Sequence, residues 1–296
     1  MPVKRDIILI IEGGAMSGIF STGVVSSFEQ RKLYPQIHSI YCVSAGAQTS
    51  AYFLSKKIPK AVEIYTKDLL SKRQKFLNLN IFKIISKVWN LIIYKENMHL
   101  MDLEVLKQIQ KTKTKINFKN IKDSKINFFV KVFDFKNLCV KYVDGKKNTS
   151  EIINVSSNMP PYMYLKTRYT NYYDGSIVPS DDFLDIVKQN KNKKIIWILN
   201  ERRTIFRKMH DLPFRIIDLL LKTRYLGLDY MTYHIIHFFD VPTIERLKLY
   251  KNVYLVYPDN NVRNFTRNKK KLLKLYYHGV KKGDQVLKKL NIKFKL

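Results

Sequence analysis

Cysteine is scarce in this sequence: Cys42 and Cys139 are the only two in 296 residues. That excludes a disulfide framework and gives no zinc-ligand spacing. Long apolar runs are missing as well, since no stretch reaches the ~18 residues a membrane-spanning helix needs. The first apolar run, Ile7–Ile11, ends at once in Glu12-Gly13-Gly14, too brief for the ~7–15-residue apolar core of a secretory leader. A cytoplasmic location, peripheral at a membrane, is therefore expected. Internal repeats, low-complexity tracts and Gly/Ser-rich hinges are absent, which favours one domain. Negative charge is the other shortage: 24 Asp+Glu stand against 54 Lys+Arg, a formal net charge of +30.

What is present describes a folded chain. The apolar share is 46% and the aromatic share 13%, and the length suffices to bury a large core without staples. The positive charge draws the chain toward polyanions in a salt-dependent way. Lysine is spread through nearly every segment, and no helix-turn-helix, zinc-finger or RNA-binding signature accompanies it. No nucleic acid is expected, and the charge supports contact with an anionic surface without naming it.

The first third alternates strand and helix. Ile7–Ile11 has the continuous apolarity of a strand buried on both faces. A Gly-rich turn, Glu12 to Gly18, leads into a helix with Phe20, Val24 and Phe28 at four-residue spacing. Ser39–Val43 then predicts a second strand and Ala45–Leu54 a second helix, the rhythm of a parallel α/β sheet. Residues 62–111 read as helical, with a broad apolar arc over Leu79–Tyr94 opposite Lys83, Lys87 and Asn90. Asn127–Val143 reads as a strand pair turning at Lys136-Asn137. Ile195–Leu199 is a further buried strand, and the last hundred residues are helical around a strand at Val253–Val256. The expected division is a catalytic region over 5–190, with the strand and helices of 191–296 packed on the same domain.

Three segments carry chemistry. Cys42-Val43-Ser44-Ala45-Gly46 lies between a short strand and a helix, where a nucleophile elbow would expose the Ser44 hydroxyl on a strained turn; an ordinary turn with a capping serine fits the same residues. Glu12-Gly13-Gly14-Ala15-Met16-Ser17-Gly18 follows the first strand, and its N–H groups would converge on a developing oxyanion. A phosphate loop is the rival there, but no Lys-Ser/Thr ends it and Ala15 breaks the dinucleotide Gly pattern; a plain tight turn also fits. Tyr172-Tyr173-Asp174-Gly175-Ser176 offers a carboxylate base after an aromatic strand, or equally a hairpin turn. None of His38, His99, His210, His234, His237 and His278 stands in a context that would hold it beside Ser44. A second Asp-Gly, Asp144-Gly145, runs into Lys146-Lys147-Asn148 and reads as a solvated loop.

In this order, the three segments resemble the patatin-like phospholipase family. Ser156-Ser157-Asn158-Met159-Pro160-Pro161 is similar to the family's segment before its aspartate, and Leu100-Met101-Asp102 and the helix of Lys270–Gly279 resemble its bacterial branch. The resemblance implies a three-layer α/β/α sandwich with a mainly helical C-terminal extension. It implies a lipid acyl hydrolase of phospholipase A type, with Ser44 as nucleophile and Asp174 as base. The oxyanion hole falls to Gly13, Gly14, Ala15, Met16 and Gly18, with Cys42, Gly46 and Gly175 supporting the turns, and no metal or organic cofactor is implied. Ala15, Ser17, Cys42 and Ser176 depart from the family's glycine, loop cation, glycine and final small residue. These departures leave open an alternative: a weak or inactive relative that binds anionic membranes or a partner. Cys42 is expected to crowd the elbow. Two helices compete for the membrane, the basic amphipathic stretch 269–290 and Leu79–Tyr94; core packing of the former is the favoured reading.

Overall fold

The computed structural model describes residues 5–71, 76–77, 81–163, 165, 167–178, 181–205, 211–237, 240, 242–260 and 264–290. Leu79 and His210 therefore lie outside the described residues.

A mixed sheet forms the middle layer. Its strands are β1 (Ile7–Ile11), β2 (Ile37–Cys42), β3 (Asn127–Asp134), β4 (Cys139–Asp144), β5 (Tyr172–Asp174), β6 (Lys194–Ile198) and β7 (Val253–Val256). The order is β4-β3-β2-β1-β6-β7, and β5 also pairs with β3. β2, β6, β7 and β3 run parallel to their inner neighbours, whereas β4 and β5 are antiparallel to β3. Twelve helices are described: α1 (Ile19–Gln30), α2 (Ala45–Leu54), α3 (Ile58–Glu63), α4 (Ile81–Tyr94), α5 (Leu103–Thr112), α6 (Phe118–Asp123), α7 (Thr149–Val155), α8 (Phe183–Gln189), α9 (Leu212–Leu226), α10 (Leu228–Ile236), α11 (Ile244–Leu247) and α12 (Lys269–Lys289).

The two-residue period of β1 creates the outer layers. Ile7, Leu9 and Ile11 point to one face and pack with Phe20, Val24 and Phe28 of α1 and Leu272 and Leu275 of α12. Ile8 and Ile10 point to the other, against Phe183, Leu184 and Val187 of α8 and Leu247 of α11. The expected α/β sandwich is thus present, with helices on both faces of the sheet. β6 lies beside β1, so the centre of the sheet needs residues from beyond 190.

α12 lies on α1 with its apolar arc turned inward. A Cβ on Gly23 would stand 2.1 Å from the Tyr276 carbonyl oxygen, and one on Gly279 2.2 Å from that of Phe20. The helices touch backbone to backbone, and Leu272, Leu275, Val286 and Leu287 are buried against the core. The lysines of α12 are its solvated face, as the core-packing reading has it.

Two differences have local causes. The helical reading of 62–111 is broken before Leu103, because the Asp102 carboxylate caps α5 by accepting from Glu104 N (2.9 Å) and Val105 N (3.3 Å). The β3–β4 connection spans residues 135–138, with Leu138 at φ 45°. Third-strand pairing by β5, a three-residue strand, has no period-2 signal long enough to read from sequence.

Candidate active site

The sheet itself brings Ser44 and Asp174 together. β4 occupies one edge of β3, and β2 the other as far as the pair Cys42↔Val130. β5 takes up that same edge two residues on, at Asp174↔Val132. The chain leaving β2 and the end of β5 therefore meet over β3. Ser156 spans the junction: its hydroxyl donates to Lys131 O (3.0 Å) and accepts from Ser44 N (2.8 Å).

Ser44 sits at φ 54°, ψ −126°, a conformation few residues with a Cβ adopt. Strain of this kind costs about 1–3 kcal/mol and persists only where the surroundings impose it. They do here: Val43 N donates to Ile11 O (3.1 Å) and Gly46 N to Val43 O (2.9 Å). A Cβ on Gly46 would stand 2.2 Å from Ile11 O, so the helix can start this close to β1 only with glycine there. The Ser44 side chain makes no capping hydrogen bond to α2, so it is not a capping serine. Cys42 is fully buried, its thiol directed at Phe129 O (3.4 Å) and its pKa pushed up by that burial. The strained turn at Ser44 coexists with the cysteine.

Asp174 is fully buried. Its N–H donates to Asn158 O (2.8 Å), and its Oδ1 accepts from Ser176 N (2.8 Å) and Ser176 Oγ (2.7 Å). Oδ2 is buried with no hydrogen-bond partner among the described residues. The Ser44 hydroxyl is near enough to act on the carboxylate without closing a well-formed bond, as is common before a substrate tightens a site. Burial holds the Asp174 pKa above the usual carboxylate range; the Ser176 N–H and hydroxyl, the Ser44 hydroxyl and the Lys222 charge oppose it. Among the described residues no returning hairpin strand follows Asp174-Gly175. At Asp144-Gly145, in contrast, Asp144 Oδ1 accepts Lys146 N (2.9 Å), a local turn as expected.

The Gly-rich loop presses on Ser44. A Cβ on Gly13 would meet Ser44 Cβ at 2.9 Å. Gly14 has φ 155° and Ala15 φ 47°. The N–H groups of Gly13, Gly14 and Ala15 have no acceptor among the described residues, and neither has that of Ala45, the first residue of α2. Met16 is a correction: its N–H donates to Asn264 O (2.9 Å) and is not available to an oxyanion. Gly18 lies against Ala45 Cβ and the Tyr65 hydroxyl, a packing position. Ser17, at the place of the family's loop cation, sets its hydroxyl 2.7 Å from Gly14 O and 2.9 Å from Asn264 Oδ1. Asn200 ties the loop from beneath, donating to Glu12 O (2.6 Å) and accepting from Ser21 N (3.0 Å). Neither Asn264 nor Asn200 carries a motif; the place of Asn200 just after a buried strand is its only signal. Because Ala15 holds a left-handed conformation at a cost of roughly 1 kcal/mol, Ala15→Gly is expected to raise the midpoint of thermal unfolding by a few degrees. An unchanged or lowered midpoint would show that the Ala15 methyl contributes packing that offsets the strain.

The sequence model of the patatin-like phospholipase family matches residues 9–187, from the first strand to α8. The chain belongs to the patatin-like phospholipase family. Its members are lipid acyl hydrolases. The crystal structure of VipD from Legionella pneumophila is similar over 96% of this chain and 67% of that one, at 11% identity and a TM-score of 0.49. No curated protein matches the sequence.

In this patatin-like chain Ser44 stands between two cavities. One is an apolar slot of about 50 Å³ lined by Tyr52, Ile64, Tyr65, Leu69, Phe76, Met101, Leu103 and Leu106. The other is a mixed basin of about 500 Å³, walled by the Gly-rich loop, Lys131, Ser176, Arg203, Arg215, Asp218, Lys222 and His234. Several of its cations are paired: Lys131 with Asp182 (2.7 Å), Lys222 with Asp218 (2.8 Å), and Arg203 with Glu12. His234 shares the basin with Ser44, but its Nδ1 meets the Tyr230 hydroxyl (2.8 Å), and burial pushes its pKa down to about 4. Among the described residues no group of His, Cys, Asp and Glu has the arrangement of a metal site, and no helix is long and apolar enough to cross a membrane.

Proposed function

We propose that this chain hydrolyses the carboxylic esters of acylated lipids, with Ser44 as nucleophile and Asp174 as base. The observation that carries the reading is the Asp174 carboxylate: fully buried, with Oδ2 unpartnered among the described residues, and within reach of the Ser44 hydroxyl. A group so placed has a site for one proton, and the serine is the neighbour that has one to give.

The reaction runs in two halves. Ser44 Oγ attacks the ester carbonyl carbon while its proton passes to Asp174 Oδ2. The carbonyl π pair moves to oxygen, and the N–H groups of Gly13, Gly14 and Ala15 receive that oxyanion; Ala45 N–H adds a donor from the start of α2. Collapse of the intermediate breaks the bond to the alcohol, which takes the proton from Asp174. Water, deprotonated in turn by Asp174, releases the fatty acid. The acyl chain suits the apolar slot and the glycerol and head group the polar basin, which leaves the carbonyl at Ser44 between them. With its surplus of positive charge, the protein works at the surface of an anionic membrane, as a peripheral protein.

An alkyl fluorophosphonate probe tests the nucleophile. Stoichiometric labelling of Ser44, with hydrolysis of a medium-chain chromogenic ester, is the expected result. No adduct after long exposure would move the reading to a family member that binds membranes without catalysis. Faster labelling in Cys42→Gly would mean that the cysteine crowds the turn.

A further inference from the structure

The apolar side chains that meet solvent are not scattered over the surface. Of the seventeen large hydrophobic residues exposed among the described residues, twelve lie on α4, α9 and α10. α4 is apolar on both sides. Ile84, Val88 and Leu91 turn inward, toward Met98, Leu100 and Leu221. Ile85, Trp89 and Ile92, spaced four and three apart, form a stripe facing out.

α9 buries Leu219 and packs Leu221 against α4, yet also turns a polar stripe to the basin and an apolar stripe to solvent. Arg215, Asp218 and Lys222, spaced three and four apart, line the basin that contains Ser44. Phe214, Ile217 and Leu220 point away from it, at 69%, 54% and 59% exposure. The two helices are joined: Arg224 donates from Nε to Ile92 O (2.6 Å) and from Nη2 to Ile93 O (3.2 Å), at the carboxyl end of α4. α10 extends the same apolar group with Leu228 and Ile236. A helix with its polar side toward an internal cavity and its apolar side outward is stable in water only at a cost. It suits a wall between a polar substrate site and an apolar medium.

We propose that the outer faces of α4, α9 and α10 dock on a lipid bilayer carrying anionic head groups. The apolar stripes enter the interface, and the Ser44 basin lies directly behind α9. Charge names the occupant. The chain carries 54 cations against 24 acids, and of the lysines near α4, Lys95 follows its exposed end while Lys83 and Lys87 lie across the helix from the stripe. A second copy of this chain would bring two such surfaces together against their repulsion, whereas anionic lipid is complementary to them. Trp89 has the amphipathic ring favoured at the membrane boundary. The purpose of the surface, delivery of acylated lipid to Ser44, rests on the hydrolase reading; docking itself does not.

The test uses the full chain with Ser44→Ala, so that no lipid is consumed, and vesicles of phosphatidylcholine with and without phosphatidylglycerol. The chain has two tryptophans, and Trp197 is fully buried, so emission changes report on Trp89. The expected result is co-sedimentation with the anionic vesicles, a blue shift, and quenching by brominated acyl chains. Trp89→Ser with Ile217→Ser is expected to weaken vesicle binding by at least about tenfold. With Ser44 restored, the same pair should leave hydrolysis of a soluble short-chain ester unchanged. No vesicle binding, or binding with Trp89 unquenched, overturns the proposal. So does a dimer that the paired substitution splits while vesicle affinity stays the same. If the parent chain fails on the soluble ester yet docks as described, the catalytic reading fails and this one stands.

Discussion

Ser44→Ala is expected to lower kcat on a soluble medium-chain ester by about 10⁴–10⁶-fold, and Asp174→Asn by about 10⁴-fold or more. The double variant should be no worse than Ser44→Ala, since a nucleophile without its base and a base without its nucleophile fail at the same step. Asp174→Asn carries a second expectation, of opposite sign. Burial raises the folded-state pKa of Asp174 above its unfolded value, so its contribution to stability is complete at low pH and is lost as pH rises through the raised pKa. At neutral pH the ionised carboxylate destabilises the fold, and the neutral amide removes that penalty. It also sets an N–H₂ where Oδ2 has no partner, facing the Ser44 hydroxyl. Thermal unfolding of Asp174→Asn at pH 7 should therefore come a few degrees above the parent chain, by about 1–2 kcal/mol. Retained hydrolysis in either single variant would end the Ser44–Asp174 assignment. A lower unfolding temperature for Asp174→Asn would mean that Asp174 is a structural anchor that the fold needs ionised.

The centre of this fold was legible because its signals are local. Ile7–Ile11 is apolar at every position, as a strand covered on both faces must be, and the switch from Ser39–Val43 to Ala45–Leu54 marks the turn at Ser44. The Gly-rich loop and the Asp-Gly turn were found by residue type alone, since positive φ and close approach select for glycine. The pieces that finish the site are long-range and carry no such mark. Asn264 takes the Met16 N–H across more than two hundred residues, so the proposed donor set is Gly13, Gly14 and Ala15. Ser156 serves the Ser44 turn through one hydroxyl; the resemblance marks its segment, Ser156–Pro161, but not that role. α9 misleads a reading by amphipathicity, because Arg215, Asp218 and Lys222 line the basin while Phe214, Ile217 and Leu220 meet solvent, beside the inward Leu219 and Leu221. A helical wheel gives the two faces but not which one meets the core.

Lys222 is the residue of α9 with the largest expected effect on the chemistry. Its ammonium is almost fully buried, 2.8 Å from Asp218 Oδ2 and 3.4 Å from Ile177 O, and lies over the Tyr162 ring. Ile177 N in turn donates to Asp174 O (3.0 Å), which places the lysine behind the Asp174 turn. Lys222 is the charged group that acts on the Asp174 carboxylate, and it favours the ionised form. Lys222→Met keeps the length of the side chain and removes the charge, so the Asp174 pKa is expected to rise further. A base must be ionised to accept the Ser44 proton, so the acidic limb of kcat/KM should move to higher pH, by about one unit. Activity at a pH below that limb should then fall about tenfold, while the plateau above it changes little. Lys222→Arg, which keeps the charge, should hold the limb near its original position. Asp218 retains the Tyr162 hydroxyl at 2.7 Å and is partly exposed, so the loss of its ion pair should not unfold α9. A pH profile that stays in place in Lys222→Met while thermal stability drops would reduce the lysine to a packing residue. A shifted limb with stability intact identifies it as the counter-charge that keeps a buried aspartate ionised in a site without a histidine base.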